Sequence, residues 1–395
     1  MLRSLYSGIS GMKVNQVKLD VIANNIANVG TTAFKSSRVR FQDMVSQSMS
    51  QALAPGTSQG GVNSKQVGLG VQVAGIDTLV GQGMMQPTSR NLDVAMDGEG
   101  YLMLGKGLTP KGTAVEGTAA GIAATAKGVD LDTDNTVGGT NGLNLSYTRD
   151  GALTLDNEGN LLNSDGLRVL GYSVSDSKNV SLDYDTNGKA VSTYVDADGK
   201  SVTTSPKLLP LVIPGSIYVP TVAAYIIPAT ANYAAAIPQV GVVGDANYAA
   251  AVPQVGTAAI NVAAVPAHTS RITTFSIEKD GTIKAVLDSG KVAVLGQIAM
   301  VSFKNPAGLE KVGGNVVTNT SNSGEPVVRS GIGTAAATDN SGSYGDMLQG
   351  MLEMSNVDLA EQFTDMIVAQ RAFQASGKAI TTGDEILQDI IGLKR

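Results

Sequence analysis

Cysteine is absent from the 395 residues, so disulfides, thiolate metal sites, redox chemistry and cysteine nucleophiles are excluded. Packing and hydrogen bonds alone must hold the fold. Histidine occurs once, as His268 in an Ala/Pro/Thr context, which removes His-dependent triads and multi-histidine metal sites. No stretch reaches the ~18 apolar residues of a membrane helix. The first 25 residues lack both the apolar core of roughly 7–15 residues and the small-residue cleavage site of a secretory signal. Charge of one sign is not concentrated either: 28 Lys and Arg are scattered among 34 Asp and Glu, for a net charge of −6. That pattern argues against a nucleic-acid footprint or an anionic-membrane surface. Neither nucleic acid nor membrane insertion is expected.

What is present is a seven-residue rhythm at both ends. Leu5, Met12, Leu19 and Ile26 form one column near the N-terminus, with Leu2, Ile9, Gln16 and Ala23 as a second. This is a coiled-coil seam with one polar break. Near the C-terminus Leu352, Leu359, Met366, Phe373, Ile380 and Leu387 recur at strict sevens, and Phe363, Gln370 and Ile391 fall on a neighbouring column. Gly350, Gly377, Gly383 and Gly392 weaken helix in this segment, so a frayed or kinked element is expected. The N-terminal seam closes on "ANNIANVGTTAFK", whose short polar side chains suit a helix exit.

Between the ends the grammar changes to short β-branched runs punctuated by Gly, Asn and Asp. "YTRDGALTLDNEGNLLNSDGLRVLGY" (147–172) carries turn signals at Asp150-Gly151, Glu158-Gly159 and Asp165-Gly166, and 275–303 repeats the logic, so antiparallel hairpins are expected. The fold class is mainly β, sandwich or barrel-like, with N- and C-terminal α-helices pairing as a coiled coil. Gly/Ser/Thr/Pro-rich stretches at 54–70 and 329–345 have linker composition. The organisation is then a helical domain of 1–29 with 350–395, linkers at 30–74 and 316–349, and a β domain of 75–172 with 272–315. An outer inserted β domain covers 173–271. Within it "ANYAAAIPQVG" (231–241) recurs as "ANYAAAVPQVG" (246–256), too few copies for a solenoid.

Motifs that imitate chemistry fail on inspection. "DYDTNG" (183–188) begins like a calcium loop, but its twelfth position is Tyr194 where a bidentate Glu is needed, so an Asn-Gly turn is favoured. "DLDTDN" (130–135) has Asn135 in place of the turn glycine. Gly199-Lys200-Ser201 lacks the first glycine of a phosphate loop, and "VGLGVQV" (67–73) lacks the third of a dinucleotide fingerprint. No catalytic constellation, cofactor site or metal site is assigned, and an enzyme is not expected. The apolar stripes instead want a partner, and the terminal helices alone are marginal.

"LDVIANNIANVGTTAFKSSRVRFQDM" resembles the N-terminal signature of bacterial flagellar rod and hook axial proteins. Residues 352–395 resemble their C-terminal helix, and 91–104, 147–172 and 295–315 resemble further family blocks, about half the chain in the family's order. The length, the middle insertion and "QIAMVSFKNPAGLEKVGGN" resemble hook members more than the shorter distal rod members. The resemblance implies subunits exported through the flagellar type III apparatus without signal cleavage. These assemble outside the cell, beneath a cap, into a hollow curved homopolymer that acts as a universal joint. Implied partners are the rod, the hook cap, the hook-filament junction proteins and the export apparatus. It further implies a self-assembly seam of Leu5, Ile9, Met12, Leu19 and Ile26 with Leu352, Leu359, Phe363, Met366, Phe373, Ile380 and Leu387. Asn24, Asn25, Asn28, Thr31, Phe34 and Lys35 would form the junction between helix and linker, with the asparagines facing neighbouring subunits. Ala33 stands where relatives usually carry glycine, so the left-handed turn is expected at Gly30 instead. A coiled-coil-ended surface adhesin or phage-tail-like β protein is the alternative from a different class.

Overall fold

The structure is a computed structural model that describes residues 2–54, 56, 60–115, 125–132, 134–176, 179–197, 203–220, 225–227, 260–262 and 266–392. The repeated 231–256 segment and Gly199-Lys200-Ser201 lie outside the described residues.

The terminal heptads form two helices, α1 (Leu2–Ala27) and α2 (Leu359–Gly392). They pack antiparallel: Leu5 lies against Gly383, Gly8 against Ile380, Gly11 against Ser376 and Met12 against Gly377, with a Lys18–Asp365 ion pair further along at 3.3 Å. Asp358 caps α2, its Oδ1 accepting from the Ala360 and Glu361 amides at 2.8 and 3.3 Å. The expected kink is not found. α2 runs unbroken through Gly377 and Gly383, and Gly383 makes room for Leu5, whose Cδ2 a Cβ there would meet at 3.0 Å. Gly350 precedes the helix in a left-handed conformation (φ +75), and Gly392 ends it.

Leu352 does not belong to the helical seam. It lies in the strand Met351–Glu353, opposite Gln86, seven positions before α2 begins. The heptad register continues through it by coincidence of an alternating strand.

The segment expected to be a linker at 30–74 is largely hairpin. Ser37–Asp43 pairs antiparallel with Val71–Thr78, and Ser46–Ser50 continues outward against Lys65–Gly68 to a Leu53–Val62 bridge. Its side chains are mostly exposed, so backbone ladder bonds rather than an apolar pattern define it, and composition could not reveal it. Val71 N–H donates to Ser10 Oγ at 3.3 Å, which ties this hairpin to α1.

The rest is an antiparallel β-body. Its main path runs from Ser216–Val219 through His268–Ile277, Thr282–Leu287, Val292–Ile298, Arg168–Ser175, Tyr101–Lys106, Asn144–Thr148 and Val316–Thr318 to Glu310–Gly313. Alternate residues of Tyr101–Lys106 enter opposite cores. Leu102 and Leu104 join Met96, Leu153 and Leu161, while Tyr101 and Met103 join Tyr147, Leu170, Leu208 and Phe303. Turns at Gly159, Gly166, Gly281 and Gly290, all at positive φ, close the expected hairpins. Asp150-Gly151 does not close one: Gly151 lies against the neighbouring strand Val94–Asp97, its carbonyl accepting from Val94 N at 3.0 Å.

The boundary expected at 172/173 cuts through Arg168–Ser175, which pairs with Thr203–Pro210. Thr203–Pro210, Ser216–Val219 and His268–Ile277 therefore join the main sheet, while Leu182–Tyr184 with Ala190–Ser192 and Tyr225–Ile227 with Ile260–Val262 form separate two-stranded sheets. Likewise 316–349 is not linker throughout, since Val316–Thr318 and Asp346–Gln349 are paired strands of the body. "DYDTNG" is a turn: Asp185 Oδ1 accepts from the Asn187 and Lys189 amides, both at 2.8 Å, and Gly188 has φ +85. His268 is exposed at the start of its strand, opposite Val219.

Candidate functional site

Two features carry the functional reading: the helix seam and the junction at its root. Leu5, Met12, Leu19 and Ile26 of α1 and Met366, Ile380 and Leu387 of α2 are all half-buried, and Leu5, Met12 and Ile380 lie in the antiparallel helix contact. The second columns differ from expectation. Ile9, Gln16 and Ala23 are exposed, and Ile9 lines a cleft with Tyr6, Val14, Met44 and Val71 between α1 and the hairpin. On α2, Phe363 is 50% exposed, Ile391 70%, and Leu359 and Phe373 each 39%, so they stand outside the pairing face. The column that does face α1 is Gln362, Ala369, Ser376 and Gly383, none of them exposed. A search for large apolar residues cannot see a column of small and polar ones. Its alanine, serine and glycine give the close approach that elsewhere would need a hole.

The junction residues are brought together, and they bond within one chain. Asn25 is buried; its Nδ2 donates to Ser37 O and to Gln362 Oε1, each at 2.9 Å, and its Oδ1 accepts from Ser37 N at 3.0 Å. One amide thus joins α1, the hairpin and α2, with its donors and acceptor satisfied. Asn28 donates to Asn24 O at 2.9 Å, and Thr31 Oγ1 donates to Asn28 Oδ1 at 3.2 Å, which closes the end of α1 locally. Asn24 is the exposed member. The expectation that all three asparagines face neighbours therefore fails for Asn25 and Asn28, whose amides bond to backbone and side-chain groups of the same chain. The left-handed residue is Ala33 itself (φ +54), not Gly30. Its amide donates to Glu353 O at 2.8 Å and its side chain is buried, so surrounding bonds hold it there.

Lys35 reaches a buried charge cluster that the sequence did not reveal. Its ammonium meets Glu353 Oε1 at 2.6 Å and donates to Gly81 O at 2.8 Å. Glu353 Oε1 also accepts from Gly83 N at 2.8 Å, and its Oε2 accepts from Arg149 Nε at 3.0 Å. Arg149 Nη2 donates to Gly98 O at 2.7 Å. Glu353 is sealed, and Lys35 and Arg149 nearly so. Burial pulls the Lys35 pKa down from the usual lysine value and the Arg149 charge adds to that, while the Glu353 hydrogen bond opposes it. The carboxylate ties the exit of α1, the return of the hairpin, the entry to α2 and the β-body at one point. A lone acid between Leu352 and Met354 was the signal available for it. Asn356 adds a second clamp, its Oδ1 accepting from Ser36 N and its Nδ2 donating to Leu79 O, both at 2.8 Å.

A chain that spends its polar chemistry on joining helices to a β-body, and leaves its helices half-covered, has the build of a structural subunit. The profile described as "Flagella basal body rod protein" matches residues 5–35, "Flagellar hook protein FlgE/F/G D1 domain" matches 136–285, and "Flagellar basal body rod FlgEFG protein C-terminal" matches 348–393. The chain is 36% identical over 395 residues to the flagellar basal-body rod protein FlgG of Bacillus subtilis, with all of both chains covered. It is 32% identical over 485 residues to the flagellar hook protein FlgE of Borreliella burgdorferi, again with both fully covered. Against the flagellar hook protein FlgE of Escherichia coli it is 28% identical over 427 residues, covering 98% of each. The chain belongs to the flagellar hook and rod axial protein family, which is structural and not enzymatic. Among the described residues no helix is long and apolar enough to cross a membrane.

Proposed function

We propose that this chain is the hook subunit, polymerising through its helix pair into a hollow curved tube that transmits torque from rod to filament. The observation that supports the polymer is the uncovered apolar surface of α2, where Ile367 and Val368 are 59% and 56% exposed and Phe363, Ile386 and Ile390 45–50%, on a helix already paired with α1. Apolar surface of that kind is a site for further copies. The hook reading over the distal rod rests on the middle insertion, whose described strands widen the β-body at Thr203–Pro210 and Ser216–Val219. In this reading the tube stands outside the cell, between rod and filament, with cap and junction proteins at its end, and its subunits leave through the type III apparatus.

Electron microscopy of the polymer formed by the purified full chain tests it. Curved tubes that straighten and bend on handling are expected. Straight, stiff tubes would favour the distal rod, and discrete trimers the adhesin-like class.

A further inference from the structure

Lys311 lies in Glu310–Gly313, on the side of the β-body that meets the end of α1. Its ammonium donates to Lys35 O at 3.0 Å and to Ser37 Oγ at 3.4 Å, and stands 5.0 Å from the centre of the Phe34 ring. No carboxylate forms an ion pair with it among the described residues. Lys311, Lys35 and Arg149 line one cavity of about 220 Å³ with Phe34, Tyr101 and Asn28, and among the described residues no acid lines it. At ~30 Å³ per water, that is room for roughly seven waters, or for a carboxylate side chain and a few of them.

The charges do not balance. Three cations converge, and the single carboxylate behind them, Glu353, has both oxygens occupied by Lys35, Gly83 N and Arg149. Glu310 and Glu99 are exposed, Glu99 lining a separate small cleft beyond Tyr101. Lys311 is exposed in the single chain, and partial burial of its ammonium against the cavity draws its pKa down. The aromatic walls are themselves engaged by cations, Arg149 at 5.8 Å from the Tyr101 ring.

We propose that this cavity receives an aspartate or glutamate side chain of a second copy of the chain, as an intersubunit ion-pair socket centred on Lys311. A carboxylate there would form charge-assisted hydrogen bonds in partly desolvated surroundings. A second copy is the occupant that the molecule itself supplies. The chain carries six more acids than bases, and the cavity opens at the root of the helix pair whose uncovered apolar surface supports the polymer reading. The inference rests on that reading for its occupant, though not for the socket.

Polymer assembled from equal parts ¹⁵N-labelled and unlabelled full chain, treated with a zero-length carbodiimide, should yield a Lys311-to-Asp/Glu peptide of mixed isotopic origin. Lys311→Gln should raise the concentration needed for assembly roughly tenfold or more with its circular dichroism unchanged, and Lys311→Arg should restore it. Other inter-copy cross-links without one at Lys311, or assembly of Lys311→Gln at the wild-type concentration, would overturn the proposal. A glutarate titration of the unassembled chain, read at the Lys311 side-chain NMR signals, separates the sources. Glutarate binding with no inter-copy link at Lys311 would assign the socket to a soluble carboxylate and overturn the second copy. A chain that forms no polymer refutes the axial reading instead, and absence of any glutarate shift then removes the socket as well.

Discussion

The β-body and the helix pair bury themselves in different ways. In the body Leu102, Leu104, Leu170 and Leu208 are fully sealed, and neighbouring strands supply every contact. Across all of α2 only Ala369 is buried, and large apolar residues such as Phe363, Ile367 and Val368 are exposed. The body is therefore complete as one chain, whereas the helix pair is a half-built core in a family of axial polymers. The Lys35–Glu353–Arg149 cluster is where the complete part holds the incomplete part.

The sharpest way to break that comparison is at Glu353. Glu353→Gln leaves two nearly buried cations without their counter-charge, a loss of about 3–5 kcal/mol when a buried pair is broken. The damage should be local: hydrogen exchange should lose protection at the Ala33 and Gly83 amides, which bond to Glu353, while body amides keep theirs. Protection unchanged at Ala33 would mean that the cluster does not couple the two parts. The converse is Leu102→Ala, a cavity in the sealed core worth about 2–5 kcal/mol. It should lower the denaturant midpoint of the sheet. If the α1 and α2 amides lost protection at the same denaturant concentration as the sheet, the two parts would be one cooperative unit and the contrast would fail.

Within the helix pair the glycines can be sorted by what a methyl group would meet. A Cβ at Gly8 would sit 2.9 Å from Ile380 Cγ1 and 3.4 Å from Ser376 O, so Gly8→Ala should cost about 1–3 kcal/mol through overpacking, less its helix-propensity gain. A Cβ at Gly377 would meet only Met12 Sδ at 3.9 Å, an ordinary contact, so Gly377→Ala should stabilise the pair by up to about 1 kcal/mol. Helical circular dichroism through thermal unfolding of the two variants gives the signs. Equal signs would show that the close approach at Gly8 is relieved by relaxation.

The residues that sequence reasoning found were the large ones with a period. Ile380 packs on Gly8 of α1, Met366 and Leu387 are half-buried, and the hairpins expected over 275–303 turn at Gly281 and Gly290. What it missed has no large-residue signature. Gln362, Ala369, Ser376 and Gly383 form a column of small or polar residues, so an apolar period picked Phe363 and Ile391 instead, which are exposed. Leu352 keeps the period but lies in a strand, because periodicity does not say where a helix starts; Asp358, the cap, does. Strands 37–50 and 65–78 have little buried apolar alternation, and their ladder is a backbone property that composition conceals. The Lys35–Glu353–Arg149 cluster joins residues far apart in sequence, and only the fold could bring them together.

The smallest effect lies at the backbone of the junction. Ala33 holds φ +54, a conformation that costs a residue with a Cβ about 1–2 kcal/mol. Glycine removes that cost but gives the unfolded chain more freedom, worth about 0.4–1 kcal/mol against folding. The balance for Ala33→Gly is a gain of about 0–1.6 kcal/mol before the lost contacts of a buried methyl group, about 0.8 kcal/mol, so the net lies within about 1 kcal/mol of zero. The strain is tolerable because the Ala33 amide is fixed on Glu353 O, so the same substitution in the Glu353→Gln background should lose the relief of strain if the strand carrying Glu353 no longer holds the turn. A double-mutant cycle read by denaturant unfolding measures the coupling. Additive effects would mean that the left-handed turn at 33 is set by the end of α1 alone, and that the junction reads as two separate locks rather than one.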